Sequence, residues 1–277
     1  MSRPSEHTPS TMSERIDLDW AGWMRRYDAQ LQRYAPARER CFETIIDVVG
    51  ALAPADAAVL DLGAGPGSLS TRLLTRLPGA TCVALDADPV MLVFGRRAAS
   101  AQHTGVAERL RWVRSDVVDE DWRGAVRAAG VAPVRAVVSS TALHYLPLAD
   151  LVRVYREVAE FLPAGGCFVN GDMTQLPPHL DLVRRAVGRV RERREQAARQ
   201  AGVEDWTRWW KALERASADD AELSAAFAER ARSAVLVREQ PRPVGTAFHL
   251  AALAEAGFAE VTTVWQDLED VVLLAVR

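Results

Sequence analysis

The chain has 277 residues, a hydrophobic fraction of 49%, a charged fraction of 26% and a formal net charge of −3. That length suits one sizeable α/β domain with an added substructure, or two small domains, and the composition is that of an ordinary soluble enzyme. The slight acidity argues against a chain built mainly to neutralise phosphates.

The opening stretch MSRPSEHTPSTMSER is polar and carries no apolar leader run, and no apolar run approaches the roughly 20 residues of a bilayer span. Three scattered cysteines, Cys41, Cys82 and Cys167, form no C-x-x-C pair and read as reduced thiols. The expectation is a cytoplasmic protein, monomer or homodimer, that engages neither membrane nor nucleic acid. Lys211 is the sole lysine, a trace of base composition and not a binding signal.

Residues 1–14, rich in Ser, Thr, Pro and Glu, predict a disordered tail. Residues 15–54 predict a helical cover in two helices. The first carries Ile16, Trp20, Trp23, Met24, Tyr27, Leu31 and Tyr34 at helical spacing and breaks at Pro36; the second carries Phe42, Ile45, Ile46, Val49 and Leu52 and closes at Pro54. The period then changes. Apolar runs at 58–62, 81–85, 110–114, 134–139 and 167–170 predict buried parallel strands, with helices over 68–77, 90–99 and 148–162 between them. Residues 174–243 are charged and helical, and predict an insertion over the mouth of the sheet. A helix over 249–256 and two strands over 261–266 and 271–276, joined by a tight turn, end the chain. The core is thus expected over 55–173 and 244–277.

Gly63-Ala64-Gly65-Pro66-Gly67 follows the first strand and opens a helix. Glycines are needed where a strand turns sharply and a ligand approaches the backbone, and the helix N-terminus offers unpaired N–H groups. Such a loop alone fits several adenosine-containing cofactors, and Ser68 interrupts the full dinucleotide pattern. Asp86 ends the second strand nineteen residues beyond Gly67, where a carboxylate accepts from ribose hydroxyls. Its alternative role is a helix cap, for which Asp88 before Pro89 is better placed. Asp116 ends the third strand, where an acceptor meets an adenine amino group with Val117 against the ring; a solvated turn carboxylate is the alternative.

The ordered set VLDLGAGPG, ALDADPVML, WVRSDVVD and AVVSSTALHYL resembles the class I S-adenosylmethionine (SAM)-dependent methyltransferases, and within them bacterial small-molecule enzymes. The resemblance covers roughly residues 40–173 and 245–277. It implies a Rossmann-like seven-stranded, mostly parallel sheet in the order 3-2-1-4-5-7-6 with helices on both faces. It implies SAM as cofactor, S-adenosylhomocysteine as product, and cofactor contacts at Gly63, Ala64, Gly65, Asp86, Ala87, Asp116 and Val117 and around Ser139 and Ser140.

The acceptor in that family lies beyond the fourth strand, here Ser139-Ser140-Thr141-Ala142-Leu143-His144-Tyr145. The Asn/Asp-Pro-Pro-aromatic tetrad of base-methylating enzymes is missing, and no ligand-spaced His/Asp/Glu cluster calls for a metal. His144 is the candidate general base; a histidine that caps the strand end is the alternative. Tyr145 and Tyr34 are candidates for orienting the acceptor. Trp20, Trp23, Tyr27, Trp209 and Trp210 are candidate walls for a planar, indole-like or phenolic acceptor, or else glue between the cover and the core. The arginines at 184, 185, 189, 191, 193, 194 and 199 read as a solvated helix face, with a phosphate, carrier-protein or RNA surface as the alternative. The resulting expectation is methyl transfer to C, N or O of a small aromatic secondary metabolite. A SAM-binding protein that transfers no methyl, and an RNA or protein methyltransferase, are the alternatives.

Overall fold

The computed structural model describes residues 18–102, 104–118, 121–131, 133–233 and 244–277. The expected tail over 1–14 and residues 234–243 of the expected insertion lie outside the described residues.

Seven strands form one sheet: β1 (Ala58–Leu62), β2 (Thr81–Asp86), β3 (Leu110–Arg114), β4 (Val134–Ser140), β5 (Cys167–Met173), β6 (Glu260–Asp267) and β7 (Asp270–Val276). Their order is β3-β2-β1-β4-β5-β7-β6, as the resemblance implies. β1 to β5 pair in parallel; β7 runs antiparallel to β5 and β6. β5 runs on to Met173, three residues beyond the apolar stretch that announces it.

Alternation along the strands feeds two cores. Leu60, Leu62, Val83, Leu85, Val137 and Phe168 face one way and pack with Trp122, Val154 and Tyr155. Val59, Cys82, Ala84, Val138 and Val169 face the other and pack with Phe42, Ile45 and Leu73. The second layer comes from α2 (Arg38–Leu52), α3 (Ser68–Arg76) and the short α5 (Thr104–Ala107), the first from α6 (Trp122–Ala128), α7 (Leu148–Phe161) and α11 (Thr246–Glu255). All three cysteines are buried and unpaired with one another.

A third apolar cluster lies off the sheet. It joins α1 (Trp20–Gln32) and α4 (Pro89–Gln102) to α9 (Trp206–Ala216) and α10 (Ala221–Arg232) through Met24, Tyr27, Phe94, Trp209, Leu213 and Leu223. Trp209 is at its centre, fully buried, with edge contacts to Tyr27 at 5.1 Å and Phe94 at 5.5 Å between ring centroids. Asp205 and Asp220 cap α9 and α10 by accepting from backbone N–H groups of their first turns. Removing a buried tryptophan costs about 3–5 kcal/mol, so Trp209→Ala should lower unfolding stability by that amount in urea and expose α9 and α10 to protease. A loss below about 1 kcal/mol would mean that the cluster does not secure them.

The remaining helix of the insertion, α8 (Asp181–Gln200), buries none of its residues. It is held by charge. Arg191 hydrogen-bonds Glu269 at 2.5 Å and Arg194 hydrogen-bonds Asp267 at 2.8 Å, both on the β6–β7 turn. Two of the expected solvated arginines thus face inward, because the acidic turn lies opposite them. No helix among the described residues is long and apolar enough to cross a membrane.

Candidate functional site

A cleft of about 990 Å³ opens at the C-terminal ends of β1, β2, β3 and β4, where parallel sheets of this topology bind ligands. Its floor is the glycine loop. Gly63, Gly65 and Gly67 have φ of +68°, +55° and +75°, a left-handed conformation that side chains resist. A Cβ at Gly63 would collide with Ala142, and one at Gly67 would lie 2.6 Å from the Trp112 ring. Gly63 and Ala64 donate to the Leu85 carbonyl, which fastens the loop to β2.

Asp86 reaches over that loop. One oxygen accepts from the Gly65 N–H at 2.6 Å and the other from the Asp88 N–H at 2.8 Å. Burial pushes its carboxyl up to about 6, against the lowering effect of those two bonds. Asp88 is the cap of α4, accepting from Val90 at 2.9 Å, so the two acids divide the roles of loop clasp and helix cap. Asp116 accepts from Val118 at 3.1 Å. Asp116 and Val117 line the cleft beside Ala87 and Met91.

Ser140 lines the cleft and its buried hydroxyl lacks a hydrogen-bond partner among the described residues. Ser139 does not line it: its hydroxyl donates to the Leu62 carbonyl at 2.8 Å, tying β4 to β1. Two charged residues that the sequence did not single out stand at the cleft floor. Asp61 accepts from the Ser70 hydroxyl at 2.6 Å, and burial pushes its carboxyl up to about 7. Arg38 is buried, bonds Asp28 at 2.9 Å, and leaves its Nε–H without a partner. In sequence Arg38 is one more charge in an amphipathic helix; only the position of α2 across the strand ends turns it inward.

His144 lies in a short helical turn, Leu143–Tyr145, just beyond β4. Its Nδ1 is 2.6 Å from one Asp172 oxygen, and its backbone N–H donates to the other at 3.0 Å. Asp172 is buried and also accepts from the Met173 N–H. Burial alone would lower the imidazole pKa; the charge and hydrogen bond of Asp172 outweigh it and raise the value. Nε2 is the nitrogen left for a ligand. The Tyr145 ring is tilted against the His144 ring at 4.0 Å between centroids.

Tyr27, Tyr34, Phe42, Trp206 and Trp210 are further aromatic residues of the lining. The Tyr27 hydroxyl lies above Gly65, 3.5 Å from where a Cβ would be, and burial drives its pKa upward. The Tyr34 hydroxyl accepts from the Trp206 N–H at 3.3 Å, joining the end of α1 to the start of α9. Trp20, Trp23 and Trp209, named with them in the sequence, do not line the cleft and pack within the third apolar cluster. Among the described residues no group of three or more His, Cys, Asp or Glu is placed to hold a metal ion.

Residues 59–166 match a family model described as a methyltransferase domain. A trans-aconitate 2-methyltransferase of Azoarcus is 28% identical over 156 residues, 56% of this chain and 51% of the relative. A release factor glutamine methyltransferase of Chlorobaculum tepidum is 34% identical over 106 residues, 38% of this chain and 33% of the relative. The chain therefore spans a third to a half of the length of these curated relatives. Among solved structures, an O-methyltransferase family 2 protein of Planctomyces limnophilus in complex with apigenin has a TM-score of 0.53 at 16% identity, over 94% of this chain and 62% of that one. An O-methyltransferase family protein of Burkholderia thailandensis has a TM-score of 0.50 at 18% identity, over 88% of this chain and 58% of that one. Sheet order and glycine loop define a Rossmann-like methyltransferase fold. With the domain match, residues 59–166 carry a methyltransferase domain on a sheet of this order.

Proposed function

We propose that the chain transfers the methyl group of SAM to a hydroxyl oxygen of a small aromatic or heteroaromatic molecule. The observation that carries this reading is the His144–Asp172 pair at the cleft wall, because a phenol or alcohol must lose a proton as its oxygen takes the methyl group. The cleft fits the cofactor: the left-handed glycine loop forms its floor with Gly63 and Gly65 in the lining, and Arg38 and Ser140 keep polar atoms unpartnered there.

In this reading Gly63, Ala64, Gly65, Asp86 and Ala87 hold the ribose, Asp116 and Val117 the adenine, and Arg38, Asp61 and Ser140 the amino-acid end. SAM, when bound, supplies a sulfonium methyl already activated toward displacement. His144 takes the hydroxyl proton on Nε2, and Asp172 stabilises the imidazolium that results. Tyr34, Tyr145, Trp206 and Trp210 hold the planar acceptor in line and exclude water, from which most of the acceleration comes. The described part of the insertion, residues 174–233, serves as the substrate lid, and Trp20, Trp23 and Trp209 serve by fixing it to α1 and α4.

The test is incubation with SAM and a panel of phenols and hydroxyindoles, with S-adenosylhomocysteine as the readout. A general base contributes about 10²–10⁴-fold, so His144→Ala should reduce kcat at least about a hundredfold while leaving S-adenosylhomocysteine affinity nearly intact. An unchanged kcat would remove His144 from the chemistry. Cofactor binding without product from any acceptor of these classes would remove hydroxyl methylation itself.

A further inference from the structure

The arginines of the cleft are not alike. Arg38, Arg191, Arg194 and Arg230 line it, and each hydrogen-bonds a carboxylate: Asp28, Glu269, Asp267 and Asp88. Arg33, the fifth, lines the same cleft and is held by a single, looser ion pair. Its side chain is only 12% exposed, and its buried Nε–H lacks a partner. The one carboxylate within reach is Glu195, 3.6 Å away, and Glu195 is already engaged by Arg199 at 2.5 Å. A guanidinium presents five donors in a planar fork suited to a bidentate anion, and the shared Glu195 leaves the Nε–H of that fork unmet.

The place of Arg33 in the chain sets what such an anion belongs to. Arg33 closes α1, next to Tyr34, whose hydroxyl meets Trp206 at the start of α9. Its guanidinium lies 5.6 Å from the Tyr34 ring centroid. It therefore belongs with the aromatic wall formed by α1 and the insertion, whereas Arg38 stands on the floor with Asp61 and the glycine loop. Negative charge on the facing β6–β7 turn is partly met, since Glu269 and Asp267 are taken by Arg191 and Arg194; Asp270 follows them in the cleft lining.

We propose that Arg33 is an anion-recognition residue of the acceptor site, and that the acceptor is a planar molecule carrying a carboxylate. The proposal rests on the reading of the cleft as a methyl-transfer site. Its ligand chemistry, a carboxylate, has two sources, since the amino-acid end of the cofactor carries one too. The position of Arg33 assigns it to the acceptor.

The experiment uses the full chain saturated with S-adenosylhomocysteine, titrated calorimetrically with 3-hydroxybenzoate and with its primary amide, 3-hydroxybenzamide. The two probes share shape and differ in charge. The acid should bind about tenfold or more tightly than the amide, and Arg33→Gln should abolish that preference. The same variant should keep its affinity for S-adenosylhomocysteine within about twofold and its circular dichroism unchanged. Equal affinity for the two probes, no binding of either at millimolar concentration, or a preference that survives Arg33→Gln would overturn the proposal. A tenfold loss of S-adenosylhomocysteine affinity in Arg33→Gln would also overturn it, by giving Arg33 to the cofactor. Failure of the wild type to bind S-adenosylhomocysteine would instead strike the underlying cofactor reading, while an acid-over-amide preference removed by Arg33→Gln, measured without cofactor, would still stand.

Discussion

An Asp86→Ala protein is expected to bind S-adenosylhomocysteine at least about a hundredfold more weakly than wild type, because hydrogen bonds to a charged group contribute about 1.5–3 kcal/mol each and a carboxylate facing a ribose offers two. The same substitution unclasps the loop, since Gly65 donates to Asp86 at 2.6 Å. The pH dependence has a definite sign. Burial raises the Asp86 carboxyl to about 6, so the charged acceptor is present above that value and is lost as pH falls through it. The contribution of Asp86 to affinity should therefore be nearly complete above pH 7 and decline from about 6 downward, and that part of the decline should be missing in Asp86→Ala. Titration calorimetry from pH 5 to 8 measures both effects. An Asp86→Ala affinity within threefold of wild type would refute the ribose assignment.

Asp172→Asn should act on chemistry and leave cofactor affinity alone. The neutral amide cannot stabilise an imidazolium, and it can present its NH₂ group to Nδ1, which favours the tautomer with the proton on Nε2, unfit to accept another. A loss of about 10²-fold in kcat follows from removing general-base assistance. The direction of the pH shift is the sharper readout. Asp172 raises the pKa of His144 against the lowering effect of burial. Activity requires the neutral imidazole, so in the wild type the rate climbs with pH through a limb above the ordinary histidine value. Without the carboxylate only burial remains, and the limb should move to lower pH. A reduced kcat with an unmoved limb would mean that Asp172 serves only to shape the turn at Leu143–Tyr145.

The sheet was legible in the sequence because each strand is a short apolar run closed by a turn residue, and the two final runs are too close together to be parallel. The glycine loop was legible for a related reason: a left-handed backbone leaves glycine as its mark. Asp172 was not, because β5 continues three residues past its apolar stretch, and the partner of His144 lies 28 positions away. Arg38 was hidden because burial of a charge shows only once Asp28 and the strand ends surround it. The arginines of α8 divide between solvent and cleft according to where the β6–β7 turn lies, and no local pattern carries that. Among the tryptophans, spacing showed which lie on a common helix face but not which face meets the cleft and which meets α4.

The pairing of β5 with β7 bears on the order of assembly. β4 and β5 can associate early, yet one edge of β5 stays open until β7, which ends at Val276, is synthesised. The wall of the cleft likewise needs Tyr27 to meet Trp209, residues far apart in the chain. Contacts of such separation form slowly, and domains begin to fold from their N-terminal parts during synthesis. A nascent chain therefore has its glycine loop long before it has a closed cleft, which is complete only after β7 has been synthesised.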